Sequence, residues 1–150
     1  MISPETSIEP ILGWRIWHVI PRRQGALLAS WSQSVDWPAG ERMEAGCRGR
    51  LGFGWRHDHE APHRGHLCGI YALRDRGKAV GMLRELEQGA PWKPRPAAIG
   101  RVSLWGRVIE NTGGWRAQFA YPYDLTLYRG NDRIARELRE RYAVDVALAT

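Results

Sequence analysis

A chain of 150 residues with a net charge of +6 is the size of one compact domain. No apolar run approaches the roughly 20 residues of a membrane helix, and no basic stretch followed by an apolar segment marks a signal peptide, so the expected location is the cytoplasm. Cys47 and Cys68 are the only cysteines; they allow a single disulfide, which a cytoplasmic chain of this size does not need.

A basic balance favours nucleic acid, acidic proteins or anionic membrane as partners. Lys78 and Lys93 are the only lysines among 22 basic side chains, and an arginine bias alongside many Gly, Ala and Trp also follows from a GC-rich genome. No block of five successive positive charges marks a polyanion-binding tail.

Residues 1–13 read as an irregular arm, with Pro4 and Pro10 disfavouring regular structure. Residues 14–150 read as a single α+β domain. Trp14 to Ile20 is aromatic and β-branched, which predicts a strand. Pro21 to Gly25 is a turn and Ala26 to Trp31 a second strand, so 14–31 is a hairpin. Trp37-Pro38-Ala39-Gly40 is a loop, and Arg42 to Gly46 forms a short strand leading to Cys47. Residues 48–66 are the least regular: glycines at 49, 52 and 54, then His57, His59, His63 and His66, interrupted by Pro62. A stretch this irregular inside a compact domain points to function or to a clamp. Cys68 to Leu73 is apolar and expected to be buried.

Arg74 to Gln88 reads as a helix, with Ala79, Met82, Leu83 and Leu86 on one face. Asp75 suits its N-cap and Gly89 its end, while Gly77 and Gly81 each weaken it by about 1 kcal/mol. Pro91 to Pro96 is a stiff connection. Asn131 to Tyr142 is the strongest helix, with Ile134, Leu138 and Tyr142 as its stripe and Glu137–Arg141 as an i,i+4 pair. Leu125 to Tyr128 and Val144 to Leu148 are expected to be strands.

The longest element is a β-hairpin from Ile99 to Tyr121 around Asn111-Thr112-Gly113-Gly114. With Thr112 and Gly113 as the loop, Glu110 faces Trp115, Val108 faces Ala117, Gly106 faces Phe119 and Leu104 faces Tyr121. The register predicts Val102, Leu104, Val108, Ala117 and Phe119 on one buried face. Gly106 suits a bend covered by the Phe119 ring. Arg101, Ser103, Trp105, Arg107, Arg116 and Gln118 fall on the other face. The order of elements predicts an α+β fold: a strongly bent antiparallel sheet or small, partly open barrel with two helices.

Two places carry chemistry. Cys47, His59, His66 and Cys68 are zinc-type ligands, and four of them would close a structural zinc site. Their spacing matches no common zinc signature, so buried or exposed side chains without metal remain the alternative. A catalytic metal would need an open position, with Asp58 or Glu60 as base, which would make the 57–68 loop a metal-dependent enzyme site. A nucleophilic Cys68 would need an adjacent base, and its flanking Leu67, Ile70 and Tyr71 argue for burial. No Walker-type loop, Rossmann fingerprint or nucleophile elbow is present. The second place is the basic hairpin face. Arg101, Trp105, Arg107 and Arg116 form a candidate partner-binding patch for a protein or a nucleic acid, unless other elements cover it. The preferred reading is a small basic binding module without enzymatic activity.

Cys47, His59-Glu60-Ala61-Pro62, Cys68-Gly69-Ile70-Tyr71-Ala72 and Val102-Ser103-Leu104-Trp105-Gly106-Arg107-Val108 together resemble the pattern of an uncharacterised family of small proteins. Its members come chiefly from GC-rich actinobacterial-type bacteria, and the similarity spans roughly residues 14–146. Position 66 is often cysteine in that family, and His66 stands there here. The resemblance implies a bacterial intracellular protein and no particular activity.

Overall fold

The computed structural model describes residues 9–31, 35–46, 62–63, 68–90 and 93–149. In chain order the strands and helices are β1 (Ile11–Ile20), β2 (Leu27–Ser30), β3 (Met43–Glu44), β4 (Ile70–Leu73), α1 (Arg76–Gln88), β5 (Ala97–Glu110), β6 (Gly114–Pro122), β7 (Asp124–Tyr128), α2 (Asp132–Tyr142) and β8 (Asp145–Leu148). Each predicted strand and helix lies within a few residues of its expected place. The first strand begins three residues earlier, at Ile11.

The barrel is closed, where the sequence pattern left it partly open. β1 pairs with β5 from Ile11↔Leu104 to His18↔Ala97, β5 with β6, β6 with β4, and β4 returns to β1 through Trp14↔Leu73. The ring of four antiparallel strands makes the molecule mostly sheet, with β2, β3, β7 and β8 as extensions. Closure depends on the length of β5. Its first half lies against β1 and its second half carries β6 around to β4. At the seam the backbones approach closely: a side chain on Gly114 would place its Cβ 1.9 Å from the Ala72 carbonyl oxygen. Only glycine fits such an approach.

The main core holds Trp17, Leu28, Trp37, Val102, Leu104, Leu127, Leu138 and Tyr142, all buried. Trp17 and Trp37 meet edge to face, with ring centroids 5.4 Å apart, a geometry that adds about 0.5–1.5 kcal/mol beyond burial. Tyr142 closes this core. Its hydroxyl accepts from the Leu28 N–H at 2.8 Å and donates to the Trp37 carbonyl at 2.7 Å.

α2 starts where the Asn131 side chain accepts from the Ile134 N–H and ends on Ala143 in the left-handed conformation. The expected Glu137–Arg141 pair does not form. Glu137 binds Arg133 and the Ala26 N–H, and Arg141 donates to the carbonyls of Gly25 and Ala26. Both side chains satisfy backbone groups of the β1–β2 turn, which a helix-only reading does not see. α1 is capped by Asp75, which accepts from the Gly77 N–H, and covers a smaller cluster of Ile16, Ala97 and Ile99 with Ala79 and Leu83. Met82 and Leu86, expected on the buried face, are 43% and 37% exposed. The strip that α1 buries is narrower than the apolar face the sequence offers.

His18 stacks on Trp31 with ring centroids 3.6 Å apart. Burial, and then the charge of Arg95, lower its pKa from the usual 6.5. The fold therefore keeps the neutral imidazole. The resulting stability is present above pH 6.5 and is lost as pH falls through that value toward the lower folded pKa. Urea midpoints measured from pH 7.5 down to pH 5 should fall for the wild type and fall less for His18→Gln. Parallel pH profiles would count against this.

No described helix is long and apolar enough to cross a membrane.

Candidate functional site

The long hairpin carries an irregularity that sets its outer chemistry. Next to the turn the expected pairs form, Glu110↔Trp115 and Val108↔Ala117. Between Trp105 and Val108 the strand bulges, at Gly106 with φ +75°. Beyond the bulge every pair slips by one residue: Trp105 faces Phe119, Leu104 faces Ala120 and Ser103 faces Tyr121. Val102, Leu104 and Ala117 are buried as expected, while Val108 is half-buried. Phe119 is the correction. It is half-buried and lies across from Trp105 instead of sharing the side of Leu104. The ring still covers the glycine, since a Cβ on Gly106 would lie 2.7 Å from the Phe119 ring.

The slip assembles an aromatic platform. The Trp105 and Phe119 ring centroids are 6.1 Å apart. β3 pairs with β6 at Met43↔Ala120 and Glu44↔Phe119, which brings Arg42 alongside. The Arg42 guanidinium sits 3.9 Å from the Phe119 ring centroid, a cation–π contact worth about 0.5–1 kcal/mol at an accessible site. Arg107 follows the bulge, and its backbone N–H donates to Gln118 Oε1 at 3.1 Å. Among the described residues neither Arg42 nor Arg107 forms an ion pair.

The other two arginines of the expected patch are engaged by the fold. Arg101 makes a two-bond contact with Asp124, 2.9 Å from Nε and 2.6 Å from a terminal nitrogen to the same oxygen, and lies over the Tyr123 ring. The hydrogen bond with Asp124 raises its pKa. Arg116 is 7% exposed and donates to the carbonyls of Cys68 at 2.9 Å and His63 at 3.3 Å. It holds the approach to β4. The structure therefore gives Trp105 the neighbours Phe119 and Arg42, which the sequence reading did not select, with Arg107 following just past the bulge. A glycine in the middle of a long strand was the available signal, because a bulge there moves Phe119 opposite Trp105.

The hairpin tip is tied down separately. Arg74 donates to Glu110 at 2.5 Å and to the Asn111 carbonyl at 2.8 Å, and packs over Trp115.

Of the expected metal ligands, Cys47, His59 and His66 lie outside the described residues, as do His57, Asp58 and Glu60. Cys68 is half-buried. The metal and enzyme readings of the 57–68 loop thus fall on residues not described. Among the described residues no group of three or more His, Cys, Asp or Glu side chains is placed to hold a metal ion. Comparison of the chain with protein-family models, with curated proteins and with solved structures finds no match.

Proposed function

We propose that this chain is a small basic binding module that engages single-stranded nucleic acid through the bulged face of β5 and β6. The observation that carries the reading is the juxtaposition of Trp105, Phe119 and Arg42, with Arg107 just past the bulge: two neighbouring aromatic rings, and two arginines that form no ion pair among the described residues. Aromatic faces accept bases of any sequence, and a stacked base is worth about 1–3 kcal/mol. Arginine adds planar donors for phosphate. The net charge of +6 supplies long-range attraction to a polyanion. No base-reading motif is visible, so the expected binding tolerates many sequences.

The test is binding of labelled oligouridylate and oligothymidylate to the folded protein at several salt concentrations. Trp105→Ala should weaken binding about 5- to 100-fold through loss of one stack. Arg107→Glu should weaken it and make the log–log salt slope shallower by about one. Wild-type protein that binds neither oligonucleotide at low salt would overturn the proposal. Retention of a carboxylate-rich peptide, with no response to oligonucleotide, would reassign the face to an acidic protein partner.

A further inference from the structure

A second feature lies inside the fold, away from the hairpin face. Arg15 and Trp17 stand two residues apart on β1, and Trp17 pairs across to Ser30 on β2. Both pack on Trp37: the Trp17 ring meets it edge-on, and the Arg15 guanidinium lies 4.8 Å from its ring centroid. Arg15 donates to Ser30 Oγ at 3.0 Å and to the Tyr71 carbonyl at 2.6 Å. Trp37 Nε1 donates to the same Ser30 oxygen at 2.9 Å.

Donors outnumber acceptors here. Arg15 Nε–H and Trp17 Nε1–H are buried and have no hydrogen-bond partner among the described residues. Ser30 Oγ already accepts two hydrogen bonds, so its own O–H is a third donor with no described acceptor. Among the described residues no carboxylate pairs with the Arg15 charge. Asp36, the carboxylate on the strand segment beside β2, pairs with Arg22 instead. Arg15 as a whole is half-buried, but its Nε–H is buried, and a buried donor without an acceptor carries a desolvation cost.

We infer that this cluster of Arg15, Trp17, Ser30 and Trp37 is a binding site for a small oxyanion, a carboxylate or a phosphate group. Such a ligand brings the missing negative charge together with several lone pairs, enough for Arg15 Nε–H, the Trp17 indole and the Ser30 hydroxyl. Water brings two lone pairs and no charge. The apolar surfaces of Trp17 and Trp37 around the cluster keep the local dielectric low, where charge-assisted bonds are strong. Burial also pulls the Arg15 pKa down to about 10, and the group stays protonated at neutral pH.

The test uses inorganic phosphate and acetate as probes, each against chloride at matched ionic strength. In thermal melts the binding anion should raise Tm with the logarithm of its concentration, by roughly 5–10 °C at a hundred times its Kd. In 15N-labelled wild-type protein the Arg15 Nε–H and Trp17 indole resonances should shift along the same saturation curve. A response to phosphate assigns a phosphate group, and a response to acetate assigns a carboxylate. Arg107→Glu, on the outer hairpin face, should keep the response in full, which separates this site from the nucleic-acid proposal. Arg15→Lys should lose it. A rise in Tm that grows in proportion to anion concentration is a general salt effect; that result, or Arg15 and Trp17 resonances that do not move along a saturation curve in the wild type, would overturn the inference.

Discussion

Tyr142→Phe should destabilise the protein by about 2–4 kcal/mol, a large effect for the removal of one oxygen. The hydroxyl serves two buried backbone groups at once, the Leu28 N–H and the Trp37 carbonyl. Phenylalanine fills the same space and leaves both unpaired, each at a cost of about 1–3 kcal/mol. Urea denaturation at pH 7 followed by tryptophan fluorescence measures this. A second readout follows from the ionisation of the phenol. Burial pushes the Tyr142 pKa from 10.0 up to about 12. A folded pKa above the unfolded one means that the stabilisation is whole below pH 10 and disappears as pH rises toward 12. The wild type should therefore lose more stability than Tyr142→Phe across that alkaline window. A phenylalanine variant as stable as the wild type at pH 7 would mean that other groups satisfy Leu28 and Trp37.

Gly100→Ala should be at least as damaging, at about 3 kcal/mol or more. A Cβ at position 100 would lie 1.8 Å from the Asp124 carbonyl oxygen and 2.8 Å from its carbon. The obstacle is backbone, which no rotamer change relieves. Asp124 is also the residue that accepts from the Arg101 backbone N–H at 2.9 Å and pairs with its side chain, so displacing it breaks the junction of β6 and β7 along β5. With total stabilities of about 5–15 kcal/mol for domains generally, such a loss is visible as a lower urea midpoint and poorer yield of folded protein. Gly81→Ala is the matched control. It lies on α1 with nothing within 4 Å of a new Cβ, and should stabilise the helix by about 0.5–1 kcal/mol. Equal effects of the two substitutions would refute the packing argument.

These outcomes also show where the sequence is informative. β1, the two hairpins and both helices follow from local pattern: β-branched and aromatic runs, the Asn111–Gly114 turn, and Asp75 before α1. The paired positions next to the turn follow as well. The pattern stops being sufficient at Gly106, because a period-two argument carried across a bulge puts Phe119 on the wrong side. Barrel closure was hidden for a related reason. It rests on contacts such as Gly114 with Ala72, which local periodicity does not encode. Arginine was the other obstacle. Arg101 and Arg116 read as surface charge, yet one is held by Asp124 and the other serves backbone carbonyls at the approach to β4. A long side chain with five donors is suited to that work, and its sequence position does not reveal it. Arg42 joins the hairpin face only through a two-residue strand.

The closed ring also fixes an order of events on the ribosome. β1 and β2 can pair as soon as both have emerged, but the long edge of β1 belongs to β5, in pairs such as Trp17↔Ala98 and Ile11↔Leu104. At ordinary translation speeds that edge waits on the order of ten seconds for its partner. β4 emerges in the interval and gives little cover, since it meets β1 only at Trp14↔Leu73 and its other main partners, Gly114 to Ala117, are synthesised later still. An open strand edge is a template for the same edge on a neighbouring nascent copy. The search of β1 for β5, a meeting of distant segments, is then expected to be the slow step of refolding, whereas the hydrogen bonds within the two helices close locally.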